Sequence, residues 1–544
     1  MKRVNILGAG LAGLAAASHL AGQNIACVLI SRQISERAQS VLAEGGINAA
    51  LDLMGEQDTT EEHFADTLSV GADLADPVAV RRMTDRAPDL VREMAAWGVP
   101  FSMRGEQLLQ RHFGGQKKRR TLFCKSSTGK ALMTALIDNV RRQEETWIRR
   151  YPHHELEELI LRDGACVGIR IRDLYTDEIC DLEGPVILAC GGMAGLFPGA
   201  TTGTVTNNGD ALAKVFAQGV EIANPEMIQY HPTTVGIAGK RMLISEAARG
   251  EGGRLYILRN GRPWYFMEEK YPELGNLMPR DIVTCEIESV LKDPACEGPV
   301  YLDMTGLTKE IWKRSLPDLR KEVKDYLRID PAKQPVPVGP GIHYFMGGVH
   351  VDVDHRTSLP GLYAAGECAC QYHGANRLGG NSLLGAIFGG QTAARTVILD
   401  QKGEAATSKA AEGKVHAPRF SEKRRITPEI PELLGEILCE GLSITRDETT
   451  MRHALEKLDI LRRRAAGPAD RQRIDLGEAM LRCALARKES RGAHRRRDYP
   501  ERNDAEFRKT TVALRRAEGE IEVQFREIGE SFHSGETSVE ARMP

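Results

Sequence analysis

Val4-Asn5-Ile6-Leu7-Gly8-Ala9-Gly10-Leu11-Ala12-Gly13, continued by the small-residue run to Leu20, is the stretch on which the fold turns. A short β-type run leads through a GxGxxG turn into an alanine-rich helix. Gly8, Gly10 and Gly13 are the candidate phosphate-loop positions. They permit a tight turn, close approach of a pyrophosphate and close helix–strand packing, while the helix N-terminus favours the phosphate charge. A glycine-rich turn also serves packing alone, so the motif needs support from elsewhere in the chain.

That support is spread along the sequence. A second strand, Ile25 to Ile30, ends in Ser31, where dinucleotide-binding patterns carry Asp or Glu; a serine hydroxyl offers the ribose a weaker contact. Val186 to Gly192 reads as a later buried strand with a glycine end, and Gly361 to Glu367 as another far downstream. Nucleotide elements split in this way favour a flavin over a nicotinamide, and their order resembles the FAD fold of the glutathione-reductase type interrupted by an insertion. The expected class is α/β: a glutathione-reductase-like FAD-binding domain with an inserted α+β capping domain and a C-terminal helical domain.

The 544 residues allow roughly three or four domains. A hydrophobic fraction of 42% supplies cores, and a net charge of −2 gives no reason to invoke nucleic acid. The reading finds neither a signal peptide nor an apolar run long enough to span a bilayer, so a soluble, cytoplasmic chain is expected, at a membrane face only through partner subunits. The 11 cysteines lack paired metal-ligand spacing, and Cys368-x-Cys370 is too close for CxxC. They read as reduced, mostly buried thiols. No metal site and no iron–sulfur cluster are expected in this chain.

Residues 1–230 are read as the first part of the flavin domain, 231–335 as the cap, 336–405 as the return to the flavin domain, 406–430 as a linker and 431–544 as a helical domain. Helical periodicity marks Pro431 to Glu440, Thr450 to Ala466 and Ala469 to Lys488, and Lys509 to Arg526 alternates about Glu518-Gly519 as a terminal hairpin. The basic run Arg491 to Arg497 reads most simply as a solvated surface.

His373-Gly374-Ala375-Asn376-Arg377-Leu378-Gly379-Gly380-Asn381-Ser382-Leu383-Leu384 sets a cation among glycines and small polar residues, as an anionic substrate against a planar cofactor requires. With Gly361 to Glu367 it resembles the C-terminal signature of the succinate dehydrogenase/fumarate reductase flavoprotein family, which includes L-aspartate oxidase. Gln229-Tyr230-His231-Pro232-Thr233, Ser245-Glu246-Ala247-Ala248-Arg249-Gly250-Glu251-Gly252-Gly253, Pro279-Arg280-Asp281 and His343-Tyr344 before Met346-Gly347-Gly348 resemble the family's remaining motifs. Each histidine alone is more readily structural than catalytic; their joint occurrence reverses that.

The resemblance implies an FAD-dependent oxidoreductase acting on a C4 dicarboxylate such as fumarate or succinate. Arg377 and His343 would bind one carboxylate, His231 and Ser245 the other. Hydride would pass between flavin and one alkene carbon, and Arg280 would protonate its neighbour through a relay with Glu246 and Arg249. Arginine's high reference pKa makes it an unusual acid, and the other reading is that Arg280 only stabilises developing negative charge. The flavin contacts implied are Gly8, Gly10, Gly13, Ser31, Gly45, Gly46, Gly192, Asp210, Glu367, Arg377, Ser382 and Leu383. Electrons would come from a separate iron–sulfur subunit, with or without a membrane anchor.

Two departures from the family pattern matter. Gln39 stands where respiratory members carry the histidine bonded to flavin, which implies noncovalent FAD, a lower flavin potential and a leaning toward fumarate reduction. Thr128-Gly129-Lys130-Ala131 lacks the glutamate of the aspartate oxidase segment Thr-Gly-Arg-Glu, so Ala131 has no charge for a substrate amine. Phe113-Gly114-Gly115 with Arg120, and Glu489 to His494 with Asp498 and Arg502 to Asp504, also resemble the succinate/fumarate branch. An L-aspartate or other amino-acid oxidase, a reductase of another unsaturated carboxylate, and a flavin-binding assembly protein without turnover are the alternatives.

Overall fold

A computed structural model describes residues 1–404, 419–420, 427–530 and 532. Most of the expected 406–430 linker therefore lies outside the described residues. The opening motif folds as a strand, Val4–Leu7, and a helix, Leu11–Gly22. The strand is central in a five-stranded parallel sheet ordered Leu362–Ala364, Val186–Leu188, Val4–Leu7, Cys27–Ser31, Ile148–Pro152. Three strands widely separated in sequence thus become neighbours, as a split nucleotide fold requires.

Alternation along these strands divides two apolar cores. Val28, Ile30, Val186 and Leu188 face one core, shared with Leu434, Leu438, Leu458 and Met480 of the C-terminal helices. Val4, Ile6, Leu29 and Ile187 face the other, shared with the helices Leu11–Gly22 and Asn381–Glu404. Those two helices cross very closely: a Cβ on Gly390 would lie 2.2 Å from the Ala12 carbonyl oxygen. That contact carries the start of the second helix, with Ser382 and Leu383, to the C-terminal edge of the sheet.

The cap is a six-stranded sheet ordered Lys240–Leu243, Ile228–Ile237, Val336–Phe345, Cys296–Asp303, Arg254–Arg259, Arg262–Trp264. It has its own core around Ile257, Ile287, Leu302, Trp312 and Val336. Strand Ile228–Ile237 runs through the boundary expected at 230/231, while Val336–Phe345 starts at the one expected at 335/336 yet belongs to the cap sheet, and the two pair with each other. Periodicity marks a strand but not which sheet receives it.

The C-terminal helices are Ile430–Gly441, Glu448–Arg464 and Pro468–Ala486. Asp447 caps the second, accepting from the Thr450 amide at 2.9 Å. The terminal hairpin, Thr510–Arg515 with Ile521–Arg526, does not stand apart from the flavin domain; it pairs with Ile222–Ala223 and extends a five-stranded sheet there. The basic run is a correction. Arg491, His494 and Arg496 are buried. Arg487 pairs with Glu226 at 2.8 Å and Glu489 at 3.0 Å, Arg491 with Glu489 at 2.7 Å, and Arg496 with Asp498 at 2.7 Å. Only Arg495 and Arg497 keep substantial exposure. Acidic partners, Glu489, Asp498 and Asp504 nearby in sequence and Asp281 far from it, turn an apparent solvated run into an ionic lock, and breaking a buried pair typically costs about 3–5 kcal/mol.

Candidate active site

A cavity of about 760 Å³ runs from the Gly8–Ala12 turn, past Gly45, Gly46 and Glu367, to His231, Ser245, Arg280, His343 and Arg377. Its size is that of a cofactor site. Gly8 sits at φ +123°, where a Cβ would come within 1.9 Å of the Ala189 carbonyl oxygen. Gly10 is on the wall, whereas Gly13 is not: a Cβ there would meet the Gly8 carbonyl oxygen at 1.8 Å, so Gly13 seats the helix on the strand. The first turn of Leu11–Gly22 bears no acidic side chain, leaving its positive end open to an anion. Ser382 and Leu383 bring a second helix N-terminus to the same wall. An elongated cavity with bare glycine backbone and a helix N-terminus fits a dinucleotide.

The wall near the first helix differs in detail from the sequence expectation. Ser31 lines it, but its hydroxyl donates to the Gln33 carbonyl at 2.7 Å. The acidic residue there is Glu155, which pairs with Arg32 at 2.6 Å. Asp210 also lines the wall, its carboxylate held by Arg473 at 2.5 Å and Arg32 at 3.2 Å. Gly192 packs on Glu367, where a Cβ would sit 2.5 Å from Oε1; burial pushes the Glu367 carboxyl up to about 7. Gln39 lines the cavity and its side-chain oxygen accepts from the Thr204 amide at 2.6 Å.

At the far end, the cap loop brings a carboxylate between two guanidinium groups. Glu246 Oε1 accepts from Arg249 Nη2 at 2.9 Å, and Oε2 accepts from Arg280 Nε at 3.0 Å and Nη2 at 2.5 Å. All three side chains are buried. Burial raises the Glu246 carboxyl, but Arg280 and Arg249 outweigh it and hold the group at about 2. Its folded value is depressed, so the stability it contributes is complete above the ordinary carboxylate value and lost as pH falls from there through about 2. Arg249 is not on the cavity wall; it donates to the Asn276 carbonyl at 2.6 Å behind Glu246.

Arg377 has a different environment. It is buried, its guanidinium lies 4.3 Å from the centroid of the Tyr344 ring, and it has neither a carboxylate partner nor a side-chain hydrogen bond among the described residues. Burial pushes it down to about 9, with the like charge of Arg280 adding to the effect. A buried cation facing a cavity without a counter-ion is satisfied by an anionic ligand. His231 and His343 face the same space with ring centroids 5.0 Å apart. Burial, then the charge of Arg280, hold both imidazoles well below their ordinary value, so they are neutral donors or acceptors. Thr202 Oγ1 sits 2.8 Å from His343 Nδ1.

The structure also brings in residues that the sequence reading did not single out. Arg111 donates to the Gly45 carbonyl, fixing the loop that carries Gly45 and Gly46. Asn48 donates to the Gly379 carbonyl and to Asn381 Oδ1, each at 2.7 Å, and Gln116 donates to the Gly379 carbonyl at 3.0 Å. These amides hold the glycine turn after Arg377. A lone Asn or Gln in a polar stretch carries no sequence signal for such a task. Ala131 packs beside an apolar core, while Ser127 and Lys130 reach the cavity wall.

No group of three or more His, Cys, Asp and Glu side chains among the described residues is placed to hold a metal, and no described helix is long and apolar enough to cross a membrane. The 11 cysteines are free thiols.

A family model described as FAD binding domain matches residues 3–383, and one described as fumarate reductase flavoprotein C-term matches residues 470–539. The succinate dehydrogenase flavoprotein subunit of Bacillus subtilis is 35% identical, over 93% of this chain and 93% of its own. An L-aspartate oxidase of Streptomyces coelicolor is 31% identical, over 94% of this chain and 90% of its own. An E. coli quinol fumarate reductase structure superposes with a TM-score of 0.83 at 28% identity, covering 99% of each chain. The chain therefore belongs to the FAD-dependent oxidoreductases of the fumarate reductase/succinate dehydrogenase flavoprotein family.

Proposed function

We propose that this chain is the dicarboxylate-reducing flavoprotein of a multisubunit enzyme, interconverting fumarate and succinate with reduction favoured. The single observation that carries the reading is the unpaired, buried Arg377 facing Arg280, His231 and His343 across one cavity. FAD, when bound, supplies hydride transfer to one alkene carbon. Arg377 and His343 grip one carboxylate, and His231 and Ser245 the other, holding the double bond in a reactive orientation. Arg280 delivers a proton to the adjacent carbon and is reprotonated along Glu246 and Arg249, which already hydrogen-bond in that order. Passing a proton during turnover requires no resting neutral arginine. The test is to purify the chain with its native associates and assay fumarate with reduced viologen and succinate with an artificial acceptor; activity with neither acid overturns the proposal.

Noncovalent FAD follows from Gln39, whose amide is not a nucleophile and is bonded to the Thr204 backbone. Acid precipitation is expected to release the yellow cofactor into the supernatant. Flavin fluorescence that stays with the denatured polypeptide in a gel contradicts this.

L-Aspartate is expected to be a poor substrate. Ala131 brings no carboxylate to an ammonium group. Oxygen-dependent aspartate oxidation faster than fumarate reduction would favour the oxidase reading instead.

Relatives named as flavoprotein subunits of fumarate reductases and succinate dehydrogenases support the presence of further subunits, of which we propose an iron–sulfur electron donor, with or without a membrane anchor. Metal and sulfide analysis of the native complex checks this. Rapid fumarate reduction by the cluster-free chain with reduced free flavin removes the iron–sulfur partner while leaving the site assignment intact.

A further inference from the structure

The hydrogen bonds of Arg280 do not end at Glu246. Arg280 Nη1 donates to Gln229 Oε1 at 2.8 Å; Gln229 Nε2 donates to Asn376 Oδ1 at 2.8 Å and to the Arg377 carbonyl at 2.9 Å. Asn376 Nδ2 in turn donates to Asp281 Oδ1 at 2.7 Å, and Arg495 Nη2 donates to Asp281 Oδ2 at 3.0 Å. Gln229 and Asn376 are each about 1% exposed. The path closes on itself through the backbone, since Asp281 follows Arg280 and Asn376 precedes Arg377. A separate, water-sized space of about 10 Å³ beside it is lined by Gln229, Asp281, Asn376 and Arg495.

An amide can present either its oxygen or its nitrogen, so the sense of each amide along this path is set by what it faces. The ends of this path remove the choice. A guanidinium only donates and an ionised carboxylate only accepts. Asn376 must therefore turn its nitrogen to Asp281 and its oxygen to Gln229, and Gln229 must turn its oxygen to Arg280. The second donor position of the Gln229 amide then reaches the Arg377 carbonyl, so one side chain registers both arginines of the site.

We infer that Asp281, acting through Asn376 and Gln229, is a positioning residue that sets the orientation of the Arg280 guanidinium for proton transfer. The inference rests on Arg280 being the proton donor. Amides are poor proton carriers, so the path orients and does not conduct; protons travel by the Glu246 side. With a neutral amide at position 281 the sense of Asn376 is no longer imposed. Asn376 can then turn its NH₂ toward the Gln229 NH₂, donor against donor, so that Gln229 loses this hydrogen bond and holds the Arg280 guanidinium less firmly.

The experiment compares wild type, Asp281→Asn, Asn376→Ala and Arg280→Lys as FAD-loaded protein with its native associates, using reduced viologen and fumarate. Asp281→Asn is expected to lower kcat at least about tenfold, below the 10²–10⁴ that general acid catalysis supplies in full. KM stays within about twofold, FAD content is unchanged, and the solvent deuterium isotope effect on kcat rises. Asn376→Ala, which leaves the Asp281–Arg495 pair intact, gives the same split and decides the matter if Asp281→Asn does not fold. Wild-type kcat in the folded variants overturns the inference, as does a loss confined to KM or to FAD content. A deficient Arg280→Lys beside an unaffected Asp281→Asn sinks the positioning role alone; a fully active Arg280→Lys sinks the proton-donor reading beneath it.

Discussion

Arg280→Lys is expected to lower fumarate turnover by at least about 10²-fold, the lower range for a positioned general acid, while FAD content stays near that of the wild type. The guanidinium uses all three of its nitrogens: Nε and Nη2 on Glu246 and Nη1 on Gln229. That fork fixes its plane relative to the substrate. A lysine ammonium keeps the charge but is a single point on a flexible stem, and it cannot span both partners. Charge conservation also leaves Glu246 with a cationic neighbour, so the fold and the cofactor cradle survive. The measurement is single-turnover reoxidation of the reduced enzyme by fumarate alongside flavin quantitation. Turnover near wild type would remove Arg280 from the acid role and leave it, at most, as a stabiliser of negative charge.

Arg377→Met should abolish tight dicarboxylate binding, at a cost of about 2–5 kcal/mol for truncating one member of a buried charge pair. At about 1.4 kcal/mol per decade this is roughly 30-fold to several thousand-fold in Kd. The effect on stability should have the opposite sign. In the free protein this guanidinium is buried beside Tyr344 with no counter-ion among the described residues, and Arg280 adds like-charge repulsion. Methionine fills comparable volume without a charge to desolvate, so the variant is expected to melt no lower than wild type when ligand is absent. Isothermal titration with a dicarboxylate and thermal melts of the same preparations check both halves. Unchanged affinity would move the carboxylate site elsewhere; a large loss of stability would show that Arg377 is structural. A residue that weakens the fold and strengthens the site is what a functional position looks like.

The cofactor half of the molecule was legible because its signals are local. Gly8 is confined to glycine by its φ of +123° and Gly13 by the Gly8 carbonyl oxygen, 1.8 Å from an added Cβ, both within the strand–turn–helix, and alternation within each strand decides which side chains enter which core. The motifs holding His231, Glu246, Arg249, Arg280, His343 and Arg377 could likewise be read as a set, since each has the residue types that a dianion and a proton relay need. Where the reading failed, the deciding partner was remote. Arg491 to Arg497 looked like solvated charge because Asp281, more than 200 residues before its partner Arg495, and the fold that buries the run are invisible in a local window. Ser31 lines the cavity wall as expected, and the structure adds Glu155 beside it, from a strand outside the motif.

The sequence by itself determined the strand–turn–helix of the nucleotide fold, the helical C-terminal run with its hairpin, and the inventory of cations and imidazoles for an anionic substrate. Each of these follows from residue type and short-range spacing. Tertiary structure alone decided that Arg280 is held by Glu246 while Arg377 has no counter-ion among the described residues, and that Gln229 and Asn376 link the two. Hydrogen-bond polarity and the desolvation of charge depend on which groups face one another across the packed interior, and that pairing exists only once the cap strands and the parallel sheet have closed around the cavity.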